Sequence, residues 1–147
     1  MNLETIFSAM SLLAMGGWLL LVVAPLRRAA LITGARGVAA VLSLAYAILI
    51  YRALAGTGAP EGGGFDSLAG VMILLSSPAA MLPAWIHYLA FDLWVGTWEV
   101  EDAPKAGVPH WLLLPVMLMT FMYGPAGLLA YLIIRTVAAR VRKPAAA

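Results

Sequence analysis

The chain has no cysteine and very little charge. Without a thiol there is no disulfide, no thiolate nucleophile and no cysteine-held metal. Only 11% of its residues are charged, against about a quarter in an ordinary soluble domain. A water-facing surface cannot be built from so few charges. Phosphate loops, nucleotide fingerprints and Ser-His-Asp patterns are all missing. The net charge is only +2, and the basic residues gather at helix ends, so they read as topology signals and exclude nucleic acid as a partner. Histidine occurs only at His87 and His110. His110 is expected near the outer interface and His87 deeper, which argues against a two-histidine haem. No metal site is expected, because Glu99, Glu101 and Asp102 lack a recognised ligand spacing and read as loop solvation.

What is present is apolar: 63% of the 147 residues are hydrophobic. This composition predicts an all-α, polytopic membrane bundle forming one domain over residues 1–147. At roughly 20 apolar residues per crossing, it has room for about four or five membrane helices. The start, MNLETIFSAM, lacks a basic leader and runs into apolar sequence, so no targeting peptide is expected and a bacterial plasma membrane is the simplest home.

The first span is predicted over Thr5 to Pro25, with Gly16-Gly17 as a thin waist. Arg36 opens a second span, Gly37 to Leu54, followed by the turn-forming GTGAPEGGG of Gly56 to Gly64. A short helix capped by Asp66 or Ser67 is expected to run to Ser77, where Ser77-Pro78 and Pro83 interrupt the chain. A helix over Ala84 to Glu99 follows, then a polar loop from Val100 to Pro109. The last span is expected over His110 to Ile134, kinked at Pro115 and Gly124-Pro125.

Charge decides the expected topology. Seven of the nine cations (Arg27, Arg28, Arg36, Arg135, Arg140, Arg142, Lys143) flank the first loop or follow the last span. The positive-inside rule puts both groups in the cytoplasm. That requires Phe65 to Glu99 to enter the membrane and return. The reading is three full spans plus a helical hairpin, with the N-terminus outside and the C-terminus cytoplasmic. Four simple spans are the competing topology.

The chemistry concentrates in AWIHYLAFDLWVGTWEVED, Ala84 to Asp102. It places a histidine and an aspartate among Trp, Ile, Tyr, Leu, Phe and Val, with no wet face. Ionisable groups at membrane depth face a cavity or a partner and mark function. On a helix, Trp85, Asp92 and Glu99 share one stripe with Tyr88, while His87 lies about 140° away from Asp92. Asp92 reads either as a proton donor and acceptor or as a structural hydrogen bond to a tyrosine, a tryptophan or a free amide. His87 reads as a proton-transfer group, a ligand to metal or haem, or a helix–helix hydrogen bond. Trp98 and Trp111 fit an interfacial belt, and the deeper Trp85 and Trp94 could line a groove for a long hydrophobic ligand.

The blocks FDSLAGV (Phe65 to Val71), AWIHYLAFDLWVGTWEVED, GVPHW (Gly107 to Trp111) and LLLPVMLMTFMYGPAGLLAYL (Leu112 to Leu132), in that order and spacing, resemble the abscisic-acid-deficient-four-like membrane proteins, whose plant members are linked to neoxanthin synthesis. The resemblance covers nearly the whole chain. It implies isomerisation of a carotenoid or xanthophyll, with no cofactor: an acid at an epoxide oxygen and a base at a neighbouring carbon. A carboxyl that keeps its proton in an apolar pocket suits the acid. On this resemblance Asp92 and His87 are each expected as catalytic acid–base groups, without forming a dyad, and Tyr88 as a hydrogen-bond donor. Trp85, Phe91, Trp94, Phe121 and Tyr123, with Glu99, are the expected substrate contacts. A non-catalytic carotenoid- or lipid-binding protein, or a small subunit of a photosynthetic or other membrane complex, is the alternative.

Overall fold

The computed structural model describes residues 2–56 and 60–142, and every regular element among them is a helix. Asn2 caps α1 (Leu3–Val22) by accepting from the Glu4 amide at 3.2 Å. A single 3₁₀ turn, Ala24–Leu26, carries Pro25 and leads into α2 (Arg28–Ala55). Arg36 therefore lies two turns inside α2 instead of opening it, because Ala29, Ala30 and Leu31 favour helix and no proline interrupts residues 28–36. Ser67 caps α3 (Leu68–Leu74), accepting from the Gly70 amide at 3.0 Å, and Ser77 caps α4 (Pro78–Ala106), accepting from the Ala80 amide at 3.3 Å.

Two expectations about α4 are corrected. Pro78 occupies the first position of the helix, where a missing N–H costs nothing. Pro83 comes only one turn later and removes one hydrogen bond without stopping the helix. The expected polar loop from Val100 shrinks to Gly107–Pro109: α4 continues to Ala106 and stops at Gly107, whose φ of 79° lets the Val108 amide close back onto the Ala103 carbonyl at 2.8 Å. The polar residues of that stretch are helical because neighbouring helices satisfy them.

Two further helices complete the chain, α5 (His110–Tyr123) and α6 (Pro125–Arg142). Helix α4 is the axis of the bundle and touches α1, α2, α5 and α6. Its core side chains Ile86, Leu89, Leu93 and Val100 meet Trp18 and Leu21 of α1, Leu42 of α2, and Leu113, Val116 and Met117 of α5. Large apolar side chains such as Leu12, Leu19, Leu44, Leu118 and Leu129 stay exposed on the outside, as lipid-facing residues do. Helices α1 and α2 are each long and apolar enough to cross a membrane. The pair α3 and α4, bent by 105° at residues 75–77, makes a third span if counted together, and α5 is a shorter apolar helix. That is fewer than the expected four to five.

The hairpin is not where the sequence reading put it. His110 Nε2 lies 2.9 Å from the Val22 carbonyl, Arg28 Nη1 donates to the Val100 carbonyl at 2.6 Å, and Arg36 pairs with Glu101. The end of α1, the start of α2, the end of α4 and the start of α5 therefore share one end of the bundle, the basic end. From there α5 runs inward to Gly124, which abuts Asp92. Helix α6 then returns, so that Tyr131 and Arg135 both donate to Asp102 Oδ2, at 2.7 and 2.6 Å. The expected single span from His110 to Ile134 is thus a helical hairpin. Its tip is Gly124, with φ of 44°, followed by Pro125. Phe65 to Glu99 is instead a short helix and one long one. The tip is level with Asp92, eight residues and roughly 12 Å from Val100 along α4, less than half the thickness of a hydrocarbon layer of about 30 Å.

Candidate functional site

Residues 88, 92, 99 and 102 of α4 follow the i, i+4, i+11, i+14 pattern of one helix face. This face is turned to the α5–α6 hairpin. Proline explains the first contact. The Phe121 carbonyl would normally accept from the amide four residues on, but Pro125 has none. Tyr88 takes that place, its hydroxyl donating to the Phe121 oxygen at 3.2 Å. Asp92 neighbours Tyr88, is only 9% exposed, and its Oδ2 has no hydrogen-bond partner. A Cβ on Gly124 would lie 2.7 Å from Asp92 Oδ1, so this glycine is required both by its positive φ and by the carboxyl beside it.

Glu99 is fully buried, which corrects its expected place in a solvated loop. Thr120 Oγ1 donates to Glu99 Oε1 at 2.9 Å and also lies 3.1 Å from the Val116 carbonyl. Asp102 ends the column, held by Tyr131 and Arg135. On the neighbouring face of α4, Glu101 and Thr97 meet Arg36, whose guanidinium also sits 5.5 Å over the Trp94 ring. Among the described residues no cluster of His, Asp and Glu could hold a metal ion.

The structure divides the expected aromatic contacts between two faces. On one face Phe7, Trp85 and Tyr88 form a row with successive ring centroids 5.6 Å apart, and Trp85 Nε1 donates to Ser11 Oγ at 3.1 Å. The row borders a groove lined by Leu3, Phe7, Met81, Leu82 and Trp85 and ends at the Tyr88–Asp92 pair. Phe121 packs edge-on against Trp18 beside that pair, while Tyr123 is exposed on the outside. On the other face His87 is exposed, stacked on Phe91 at 4.5 Å and leaning on Tyr46 at 5.4 Å, with Trp94 beyond. The structure thus brings Asp92, Tyr88 and Glu99 to one seam and sets His87, Phe91 and Trp94 apart from it. Trp111 is exposed, and Trp98 is half-buried, edge-on to Tyr131 at 5.2 Å.

Sequence reasoning missed Thr120, Gly124 and Trp18. Thr120 carried a signal, as the one Ser or Thr hydroxyl between His110 and Ile134. Trp18 is legible only in three dimensions, where its ring covers Gly96. Chemically, the seam offers a buried carboxyl with a free oxygen, a half-buried phenol and a second buried carboxyl. Such groups can give and take protons at fixed positions.

A helical membrane protein with a column of carboxyls in its interior is the class these features define. The family model described as ABA DEFICIENT 4-like matches residues 5–131, and the chain belongs to that family, carotenoid-related membrane proteins. No curated protein and no solved structure matches the chain.

Proposed function

We propose that the protein is a membrane-embedded isomerase of carotenoids or xanthophylls, of the neoxanthin-synthase-like kind, with Asp92 as its acid–base group. The observation that carries this is the setting of Asp92: nine-tenths buried, one oxygen unpartnered, at the end of the Phe7–Trp85–Tyr88 row. A polyene lying along that row brings its end group to Tyr88 and Asp92. Converting an epoxide to an allene adds a proton to the oxygen and removes one from a neighbouring carbon. One carboxyl can do both. Its O–H protonates the epoxide oxygen as the C–O bond breaks, and its other oxygen takes the C–H proton as the new double bond forms. Substrate and product are isomers, and Asp92 ends protonated as it began, the C–H proton replacing the one it gave. Tyr88, donating to the Phe121 carbonyl, fixes the hairpin tip beside Asp92, and the aromatic row holds the polyene in line, which itself accelerates the reaction.

The basic end of the bundle, with Arg27, Arg28 and Arg36, is assigned to the cytoplasm of a bacterial plasma membrane, the N-terminus lying outside and the C-terminus inside. A second reading is favoured by the exposed face of Tyr46, His87, Phe91 and Trp94: pigment or lipid binding without turnover, or docking into a larger membrane complex. The test is to purify the protein, extract its pigment, then add an epoxycarotenoid and follow it by chromatography. Conversion to an isomer of equal mass supports the enzyme. Tight retention of unchanged pigment establishes the second reading instead.

A further inference from the structure

We propose that Glu99 carries protons between Asp92 and the aqueous layer at the basic end of the bundle. Asp92 is nine-tenths buried, and Gly124 closes it from the hairpin side. Toward the basic end the polar groups continue along the stripe to Glu99 and Asp102. Glu99 lies seven residues on along the same face, about two helical turns. The spacing can be read from α5. Thr120 holds Glu99, Gly124 abuts Asp92, and the Gly124 amide donates to the Thr120 carbonyl at 2.9 Å. The two carboxyls therefore rest against points one helical turn apart on α5, and bridging water is the link between them.

The groups facing Glu99 are few. Helix α4 presents Asp92 and Asp102, α5 presents Thr120, and α6 presents Tyr131 and, beyond it, Arg135. Asp102 is tied to Arg135 and stands at the mouth as a fixed anion, three residues beyond Glu99. The relay is balanced. Glu99 passes its proton to the Asp92 carboxylate through the bridging water and is reloaded from water beside Asp102. The proposed isomerisation leaves Asp92 protonated, so the relay sets how that carboxyl exchanges its proton with water between turnovers. The plain alternative is that Glu99 only pins the hairpin through Thr120. Glu99→Gln separates the two, because an amide oxygen still accepts the Thr120 hydrogen bond but cannot carry the proton.

The inference rests on Asp92 being the acid of the proposed reaction, yet its test reads the carboxyl directly and needs no substrate. The full chain in lipid is transferred to D₂O, and infrared spectroscopy follows the carbonyl stretch of the protonated carboxyl that Asp92→Asn removes. In Glu99→Gln the deuteration of that band should slow on the order of tenfold or more. Glu99→Met, of similar volume, gives the same comparison should the amide variant not fold. A smaller change in a folded variant overturns the relay, as does the lack of any band that depends on Asp92. Loss of the relay with intact turnover, or the reverse, tells its failure from that of the isomerase.

Discussion

Arg135 Nε donates to Asp102 Oδ2 at 2.6 Å, joining α6 to the end of α4. Asp102 is ten residues beyond Asp92 and Arg135 eleven beyond Gly124, so α4 and α6 run side by side in the same direction from the hairpin tip. This sets a topology that labelling can check. Single cysteines at Lys105 and Ala139 should react with an impermeant reagent from one side of the membrane, and a cysteine at Glu61 from the other. Lys105 and Ala139 reacting from opposite sides would mean that His110 to Arg142 crosses once, and the hairpin would be wrong.

Much of this was legible in the sequence. Apolar length and scarce charge dictate membrane helices, and Ser67 announces its cap by hydroxyl chemistry. The stripe of Tyr88, Asp92 and Glu99 follows from helical period alone. The position of the hairpin was not legible, because it turns on pairing. Glu101 and Asp102 read as loop residues until Arg36 and Arg135 are known to face them. Proline also misled: Pro83 looks like a stop but sits near a helix start, whereas Pro125 looks like a kink and, after Gly124 at positive φ, marks a reversal. Helical angle alone set His87 apart from Asp92, but only the fold supplies its actual neighbours, Phe91 and Tyr46.

The two glycine classes should behave oppositely. A Cβ on Gly96 would lie 2.7 Å from the Trp18 ring, whereas one on Gly16 meets nothing within 4 Å. Gly96→Ala should destabilise by about 1–3 kcal/mol as the indole is displaced. Gly16→Ala should be neutral or slightly stabilising, since alanine favours helix over glycine by about 1 kcal/mol or less. Denaturation of each variant in detergent, followed by tryptophan fluorescence, gives the comparison. Equal stability of the two would contradict the packing of α1 on α4.

Thr120 is the hydroxyl donor to a fully buried carboxyl. Thr120→Val keeps the shape and leaves Glu99 without that donor, at a cost of about 1–3 kcal/mol. Thr120→Ser keeps the hydroxyl and loses one methyl, so it should cost less, about 1 kcal/mol. The order of the two melting temperatures decides the point. A valine variant at least as stable as the serine variant would show that the hydrogen bond contributes little.

Asp92 and His87 are five residues apart on α4, yet Asp92 is buried at the hairpin tip and His87 is exposed beside Phe91. Their substitutions should therefore separate. Asp92→Asn keeps the side chain's shape, should fold and hold pigment, and cannot transfer a proton; its turnover of an epoxycarotenoid should fall on the order of a hundredfold or more. His87→Gln changes a group outside the seam and should leave turnover within about threefold, well below any acid–base contribution. Tyr88→Phe removes the hydrogen bond to the Phe121 carbonyl that holds the hairpin tip beside Asp92 and should fall between them, with about a tenfold loss matching roughly 1.4 kcal/mol. The three variants are compared at equal folded concentration, with bound pigment as the control for folding. Full activity in Asp92→Asn together with loss in His87→Gln would move the reaction to the exposed face of α4. Full activity in both would leave no acid–base role for this helix.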